Sequence, residues 1–179
     1  MKKLLLAPAL ASLLALPSFA TLYTVGWTNG VNATFANGGV VPDNNYSGWA
    51  NSQTISGQSG TITPGSLQVN LNLSGGWNGD LYAYLVNSSG GFCVLLDRIG
   101  TGTYGNAGNG FNGAFSASGT GGLGTYMGNG SGVLTGTWQP DNTSGSLGSF
   151  VNPNGTWTLF VADLSGGGVS TVQSWGLQM

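Results

Sequence analysis

The feature that most constrains this chain is a hydrophobic alternation with a period of two residues. In residues 66–74, SLQVNLNLS, every second residue is apolar. That period places apolar side chains on one face of a β-strand. Similar short runs occur at residues 80–86 and 155–163, separated by glycine-rich turns, and no helical period appears beyond residue 20. The sequence therefore predicts an all-β fold, a β-sandwich of short strands.

The same runs predict which side chains form the core. We expect three inward rows, formed by Leu81, Ala83 and Leu85, by Trp157, Leu159 and Val161, and by Trp175, Leu177 and Met179. The last row is expected to return beside the row that precedes it. The apolar run at 92–96, FCVLL, is typical of a central strand covered on both faces. Residues 100–132 are rich in Gly, Asn and Ser, and predict a loop excursion with one short strand around residues 111–115.

The first twenty residues have the pattern of a bacterial secretory signal peptide. Lys2 and Lys3 precede an apolar run at 4–16, and small residues at 18 and 20 provide a cleavage site after Ala20. Residues 21–179 then form one domain of ordinary length. No later segment has the length of a membrane span. We expect a protein that is secreted or located at the cell surface.

The scarcity of charge limits the classes of partner. Charged residues make up 4% of the chain, against roughly 25% in typical globular domains. Beyond the signal peptide, five aspartates face a single basic residue, Arg98. A nucleic-acid partner is therefore excluded, because nothing would neutralise its phosphates. Asp97 precedes Arg98 directly, and adjacent residues of a strand point to opposite faces, so we expect Arg98 to meet another Asp or a carbonyl group.

Cys93 is the only cysteine of the sequence. It lies among apolar residues, so we expect a buried thiol, and an intermolecular disulfide is the alternative.

A succession of motifs points to a family. The motifs are VVPDNNYSG (40–48), GTITPGSLQVNLNLSGGWNGDLYAYLVNSSGG (60–91), CVLLDRIG (93–100), GTWQPD (136–141), LGSFVNPNGTWTLFVAD (147–163) and VQSWGLQM (172–179). In this order they resemble the P domain, or P/Homo B domain, of proprotein convertases and bacterial secreted subtilisin-like proteases. The resemblance covers about residues 40–179.

The resemblance implies a jelly-roll-like β-sandwich, galactose-binding-like, which usually sits beside a subtilisin-like catalytic domain. The chain has no histidine, so a Ser-His-Asp triad cannot be assembled, and we predict no catalytic residue. Two positions depart from the family. Gly75 and Gly76 stand where a His is frequent, and Ser116 and Ala117 follow Phe115 where acidic residues are frequent.

Asp80 and Asp163 are the candidate metal ligands. Each lies at the end of a strand beside a carbonyl-rich glycine loop, which suits Ca²⁺ with its preference for six to eight oxygen ligands. The alternative is that both carboxylates accept hydrogen bonds from turn N–H groups and organise their loops. The sequence leaves these two interpretations open.

Trp49 and Trp77 are the candidate ligand-binding aromatics. They lie among turn-forming residues, as do Trp27, Tyr104 and Tyr126, and a loop aromatic can stack on a sugar ring. The alternative is burial under a loop. The sequence thus predicts a non-catalytic exported domain with a structural or interaction role. The alternatives are a carbohydrate-binding module, and an accessory module of a separate secreted subtilisin-like protease.

Overall fold

A computed structural model describes residues 32–35, 37–101, 103–125, 131–141 and 143–179. The predicted signal peptide at 1–20, Trp27 and Tyr126 lie outside the described residues. In the described part, no helical turn is long and apolar enough to cross a membrane.

The described residues form ten strands joined by turns and three short 3₁₀ segments. The strands are β1 (Asn32–Phe35), β2 (Gly39–Val41), β3 (Asn45–Ile55), β4 (Gln68–Gly75), β5 (Leu81–Asn87), β6 (Phe92–Asp97), β7 (Gly110–Gly122), β8 (Leu134–Gln139), β9 (Gly155–Asp163) and β10 (Ser170–Gln178). The 3₁₀ segments are Asn78–Asp80, Leu123–Thr125 and Leu147–Ser149. The predicted all-β class is confirmed.

The strands form two sheets. The six-stranded sheet has the order β1-β10-β4-β7-β8, with β2 also pairing with β10, and the four-stranded sheet has the order β3-β9-β5-β6. All pairs are antiparallel except β7 and β8, which are parallel. The β2–β3, β4–β5 and β9–β10 connections each cross from one sheet to the other.

The core is a single cluster of buried side chains contributed by both sheets. Trp157, Leu159 and Val161 are fully buried, and so are the other predicted inward rows apart from Met179, which packs partly buried at the edge. A side-chain hydrogen bond also joins the two sheets: the indole Nε1 of Trp175 on β10 donates to Asn51 Oδ1 on β3 at 3.0 Å. The three predicted inward rows are confirmed. Two sheets around one core form a β-sandwich.

The prediction that residues 92–96 form a central strand is wrong. β6 is an edge strand of the four-stranded sheet. Four of its apolar residues are nevertheless buried, because residues 140–141 and 143–147 run along the free edge; they are Cys93, Val94, Leu95 and Leu96. Val94 N donates to Ser144 O at 3.0 Å, and Ser146 N donates to Phe92 O at 3.0 Å.

Cys93 on β6 is fully buried, as the sequence predicts. Burial raises the pKa of its thiol to about 12. An intermolecular disulfide through this sulfur would therefore require the edge of the sheet to open.

The glycine-rich stretch is more regular than predicted. Instead of one short strand around 111–115, it contains β7, thirteen residues long, in the interior of the six-stranded sheet. Phe111 and Phe115 stack in the core with ring centroids 4.9 Å apart. The remaining positions of β7 are mostly Gly, Ala, Ser and Thr, so they carry little hydrophobic pattern from which a strand could be recognised.

The expected pairing of the last two strands is also wrong. β9 is already bordered by β3 and β5 on its two edges, so the chain crosses at 164–169 and β10 pairs with β4 in the opposite sheet.

Candidate functional site

The charged residues of the described chain gather at one end of the sandwich, which we call the acidic end. Its members are Asp43, Asp80, Asp97, Arg98, Asp141 and Asp163. Strand register places most of them together, because Asp163 is paired with both Leu81 and Asn45, and Asp97 with Tyr82. Asp141 joins them because its Oδ2 accepts a hydrogen bond from Asp97 N at 2.7 Å.

Three of these carboxylates lie on connections that cross between the sheets, namely β2–β3, β4–β5 and β9–β10. Asp43 lies on the β2–β3 connection, Asp80 precedes β5, and Asp163 ends β9. The last two connections are joined directly, because Leu164 N donates to Asp80 O at 2.9 Å. The structure therefore brings Asp80 and Asp163 to the same rim, as two neighbouring strand ends.

Asp163 is a buried carboxylate that orders its own loop. Only 1% of its surface is exposed, and it lies on the inward face of β9 with Trp157 and Val161. Its Oδ1 accepts a hydrogen bond from Ser165 N at 3.2 Å. Burial raises the pKa of Asp163, the Ser165 hydrogen bond lowers it, and the negative charges of Asp43 and Asp80 raise it further.

Asp80 is half-buried beside the sole cation of the described chain. Burial raises the pKa of Asp80, the charge of Arg98 lowers it, and Asp43 raises it. Arg98 Nε also donates to Gly79 O at 3.4 Å. The expectation that Arg98 meets a carbonyl group is thus confirmed.

The arrangement of donors bears on the calcium prediction. Among the described residues, no group of three or more His, Cys, Asp or Glu side chains is arranged to hold a metal ion. Asp43 and Asp163 already accept backbone N–H groups, from Gly167 and Ser165 respectively. A Ca²⁺ ion at Asp80 and Asp163 would thus take most of its ligands from backbone carbonyls. It stays a prediction, tested below.

The two tryptophans predicted to bind a ligand occupy different settings. The sequence placed Trp49 in a loop, and this is wrong. Trp49 belongs to β3, where it packs partly buried against the core and covers Gly39. Trp77 does lie in a loop. It is 38% exposed, and its Nε1 donates to Tyr104 O at 2.7 Å. Their roles in ligand binding remain predictions.

A buried amide network at the acidic end was not anticipated from the sequence. Asn78, 1% exposed, donates from Nδ2 to Asn106 Oδ1 at 3.1 Å and to Gly110 O at 2.9 Å, and its Oδ1 accepts from Gly110 N at 3.0 Å. Asn106 Oδ1 in turn accepts from Gly108 N at 3.1 Å. These bonds hold the glycine-rich segment that leads into β7. Asparagine is so frequent here that its sequence position alone does not reveal this role.

The outer face of the four-stranded sheet carries an aromatic cluster, which we call the aromatic face. It consists of Tyr82, Tyr84, Phe92 and Phe160, all partly exposed. Tyr84 is central, with ring centroids 4.8 Å from Phe160, 5.3 Å from Phe92 and 6.3 Å from Tyr82. The alternation in the sequence signals that Tyr82, Tyr84 and Phe160 face away from the core. Only the strand order shows that they touch.

A scan against protein-family models gave no match for this chain, and a search of curated proteins found no significant relative.

Proposed function

We propose that this chain is a non-catalytic, exported interaction domain of the P-domain type that binds another exported protein through its aromatic face. The observation that carries the proposal is the cluster around Tyr84, on a sheet face that a monomeric sandwich would cover with polar side chains. Tyr and Phe are enriched at the centres of protein interfaces, where they provide much of the binding energy.

The packing of the rings favours a protein partner over a sugar. The rings of Tyr84 and Phe160 are nearly parallel, at 18°, with centroids 4.8 Å apart. Phe92 lies against Tyr84 as well, so the central ring has neighbours instead of open faces. A sugar stacks on an open ring face, whereas the side chains of a protein can pack against the edges of a ring cluster. The cluster is therefore better suited to an apolar protein surface.

The family resemblance suggests which partner to test first. P domains usually sit beside a subtilisin-like catalytic domain, and the six motifs in this sequence appear in the P-domain order. An exported subtilisin-like protease of the source organism is the corresponding partner for a separate domain. The jelly-roll type of sandwich, the cleaved signal peptide and the secreted or surface location belong to the same proposal.

The test adds a charge beside the rings without removing them. Ala50 is exposed and is the register partner of Phe160, so Ala50→Glu places a carboxylate on the aromatic face. Thr135→Glu places the same charge on the exposed surface of β8, in the other sheet, and is the matched control. Binding to the purified protease is measured by titration calorimetry.

We expect Ala50→Glu to weaken binding by about tenfold or more, equivalent to about 1.4 kcal/mol, and Thr135→Glu to leave it within about twofold. Equal affinities of the two variants would exclude the aromatic face. Failure of the wild-type protein to bind the protease at high micromolar concentration would refute the assignment of this partner.

A further inference from the structure

An open groove crosses the outer face of the six-stranded sheet. Its volume is about 450 Å³, and its lining extends from Thr34 on β1 to Thr137 on β8. It therefore runs across five neighbouring strands, and with a strand spacing of about 4.8 Å it is about 19 Å long. This volume lies within the range of about 300–1,000 Å³ that is usual for ligand sites.

Strand register explains the floor of the groove. Asn70 on β4 is paired with Gly176 on β10 and with Ala114 on β7, and the same row continues to Thr34 and Thr137. The residues that flank Asn70 are Gly176 and Ala114, whose side chains are absent or small. They therefore leave open space on both sides of the Asn70 amide. Gln68 Nε2 donates to Asn70 Oδ1 at 3.0 Å, which leaves the Nδ2 donors of Asn70 free for a ligand.

A pair of amides forms one wall. Asn72 on β4 and Asn112 on β7 lie directly opposite each other, and Ser174 on β10 continues the row. Neither the Asn72 nor the Asn112 side chain has a hydrogen-bond partner among the described residues. Gln68 stands on the other side of the floor row. It is four residues from Asn72 along β4, a separation of about 13 Å along an extended strand.

The lining determines the chemistry of the ligand. Seven of its twelve residues are Asn, Gln, Ser or Thr, and none is charged. Each amide offers donors and an acceptor, and each hydroxyl offers both. A matching ligand carries many hydroxyl groups and no net charge. A polyanion would find no cation here, and a polycation would be drawn to the acidic end instead.

The course of the groove determines the shape of the ligand. Because the groove reaches both edge strands, a chain can enter at β1 and leave at β8. An extended peptide pairs with the edge of a sheet through backbone hydrogen bonds, and this surface is a sheet face crossed at right angles to its strands. We propose that the groove binds a segment of an uncharged polysaccharide that lies across the strands of the six-stranded sheet.

The test uses two kinds of substitution. Asn72→Ala combined with Asn112→Ala removes the amide wall, and Ala114→Gln fills the floor of the groove. Ser52→Ala with Thr158→Ala is the matched control, because it removes another cross-strand polar pair, joined at 2.7 Å on the opposite sheet. Binding is measured by depletion on insoluble cellulose and by affinity electrophoresis in xylan, mannan and β-1,3-glucan, with alginate as an acidic comparison.

We expect the wild-type protein to bind at least one of the four neutral polymers, with an affinity that does not change between low and high salt. The double Asn variant and Ala114→Gln should each weaken that binding by about tenfold or more, and the control pair should not. Unchanged circular dichroism spectra and melting temperatures would show that the variants are folded.

Three results would overturn the proposal: no binding to any neutral polymer, equal binding by the wild type and both groove variants, or a salt-sensitive preference for alginate. A wild-type dimer in sedimentation equilibrium that dissociates in the double Asn variant would instead assign the face to a second copy of the chain. The proposal does not depend on the aromatic face. Ala50→Glu should leave polysaccharide binding unchanged, and the double Asn variant should leave protease binding unchanged.

Discussion

The two ends of the sandwich are ordered in the same way but differ in charge. At the acidic end, the buried amide of Asn78 binds the segment leading into β7. At the opposite end, which we call the neutral end, Asn87 Nδ2 donates to Asn152 O at 2.9 Å and Asn154 O at 3.3 Å, and its Oδ1 accepts from Ser89 N at 2.9 Å.

This comparison separates two functions of polar residues. A buried amide satisfies loop N–H and C=O groups at both ends, so charge is not needed to order the loops. The carboxylates add something that the neutral end lacks, namely titratable charge, and their pKa values are raised by burial at Asp80, Asp141 and Asp163. Four experiments would sharpen or break this distinction.

The largest effect is expected for Asn78→Ala. This change removes three buried hydrogen bonds, two to Gly110 and one to Asn106 Oδ1, so we expect a loss of about 3 kcal/mol in the free energy of unfolding. Urea denaturation measures it. A loss below about 1 kcal/mol would mean that water replaces the amide and that the glycine-rich segment is held by other contacts.

Asn87→Ala should cost less, about 1–2 kcal/mol, although it also removes three hydrogen bonds. The neighbouring residues 88–90 and 152 are exposed, so water can reach the freed carbonyl groups. The same urea titration gives the value. If Asn87→Ala were as costly as Asn78→Ala, the neutral end would be as closed to solvent as the acidic end, and the comparison would fail.

The third experiment concerns pH. Burial raises the folded-state pKa values of Asp80, Asp141 and Asp163 above the usual 3.8. Between pH 3.8 and these raised pKa values, the folded state therefore binds more protons than the unfolded state. Stability should therefore be greatest below pH 3.8 and fall as the pH rises through the raised values, before levelling towards neutrality. Melting temperatures between pH 3.5 and pH 7, roughly the range over which carboxyl groups titrate, would show the decrease.

Asp163→Asn is the matched variant for this experiment. It keeps an oxygen that can accept from Ser165 N but removes the buried charge, so the melting temperature at pH 7 should not fall and the pH dependence should weaken. Asp43 and Arg98 remain nearby and unchanged. If Asp163→Asn retained the full pH dependence of the melting temperature, that dependence would have to arise from Asp80 and Asp141.

The smallest effect is expected for calcium. Since Asp163 already accepts a hydrogen bond from its loop, we expect the melting temperature in millimolar Ca²⁺ and in chelator to agree within about 1 °C. A larger increase with Ca²⁺, absent in Asp163→Asn, would establish a calcium site at the acidic end. It would show that the carboxylates bind a cation in addition to ordering their loops.

The sequence predicted the strands better than their arrangement. Alternation identified the inward rows on β5, β9 and β10, because burial of one strand face depends on local spacing alone. It misassigned β6, whose apolar run is covered by a distant segment along its free edge, and it underestimated β7, whose small residues leave almost no pattern. Both errors have one cause: the neighbours of a strand come from remote parts of the chain.

The candidate sites show the same limit. The sequence singled out Asp80 and Asp163 and placed them at strand ends, and the rim they share follows from the pairing of β5 with β9. Nothing in the local pattern indicated that Asn72 and Asn112 would face each other, because they meet only through the register of β4 with β7.

By itself the sequence determined the all-β class, the core rows and the scarcity of charge, since these follow from residue type and spacing within single strands. The tertiary structure alone decided which strands share a sheet, and therefore that the aspartates gather at one end, that four aromatic rings meet on one face and that amides line a groove on the other. Each of these surfaces depends on contacts between residues far apart in the chain. Such contacts exist only once the backbone hydrogen bonds of both sheets set the register.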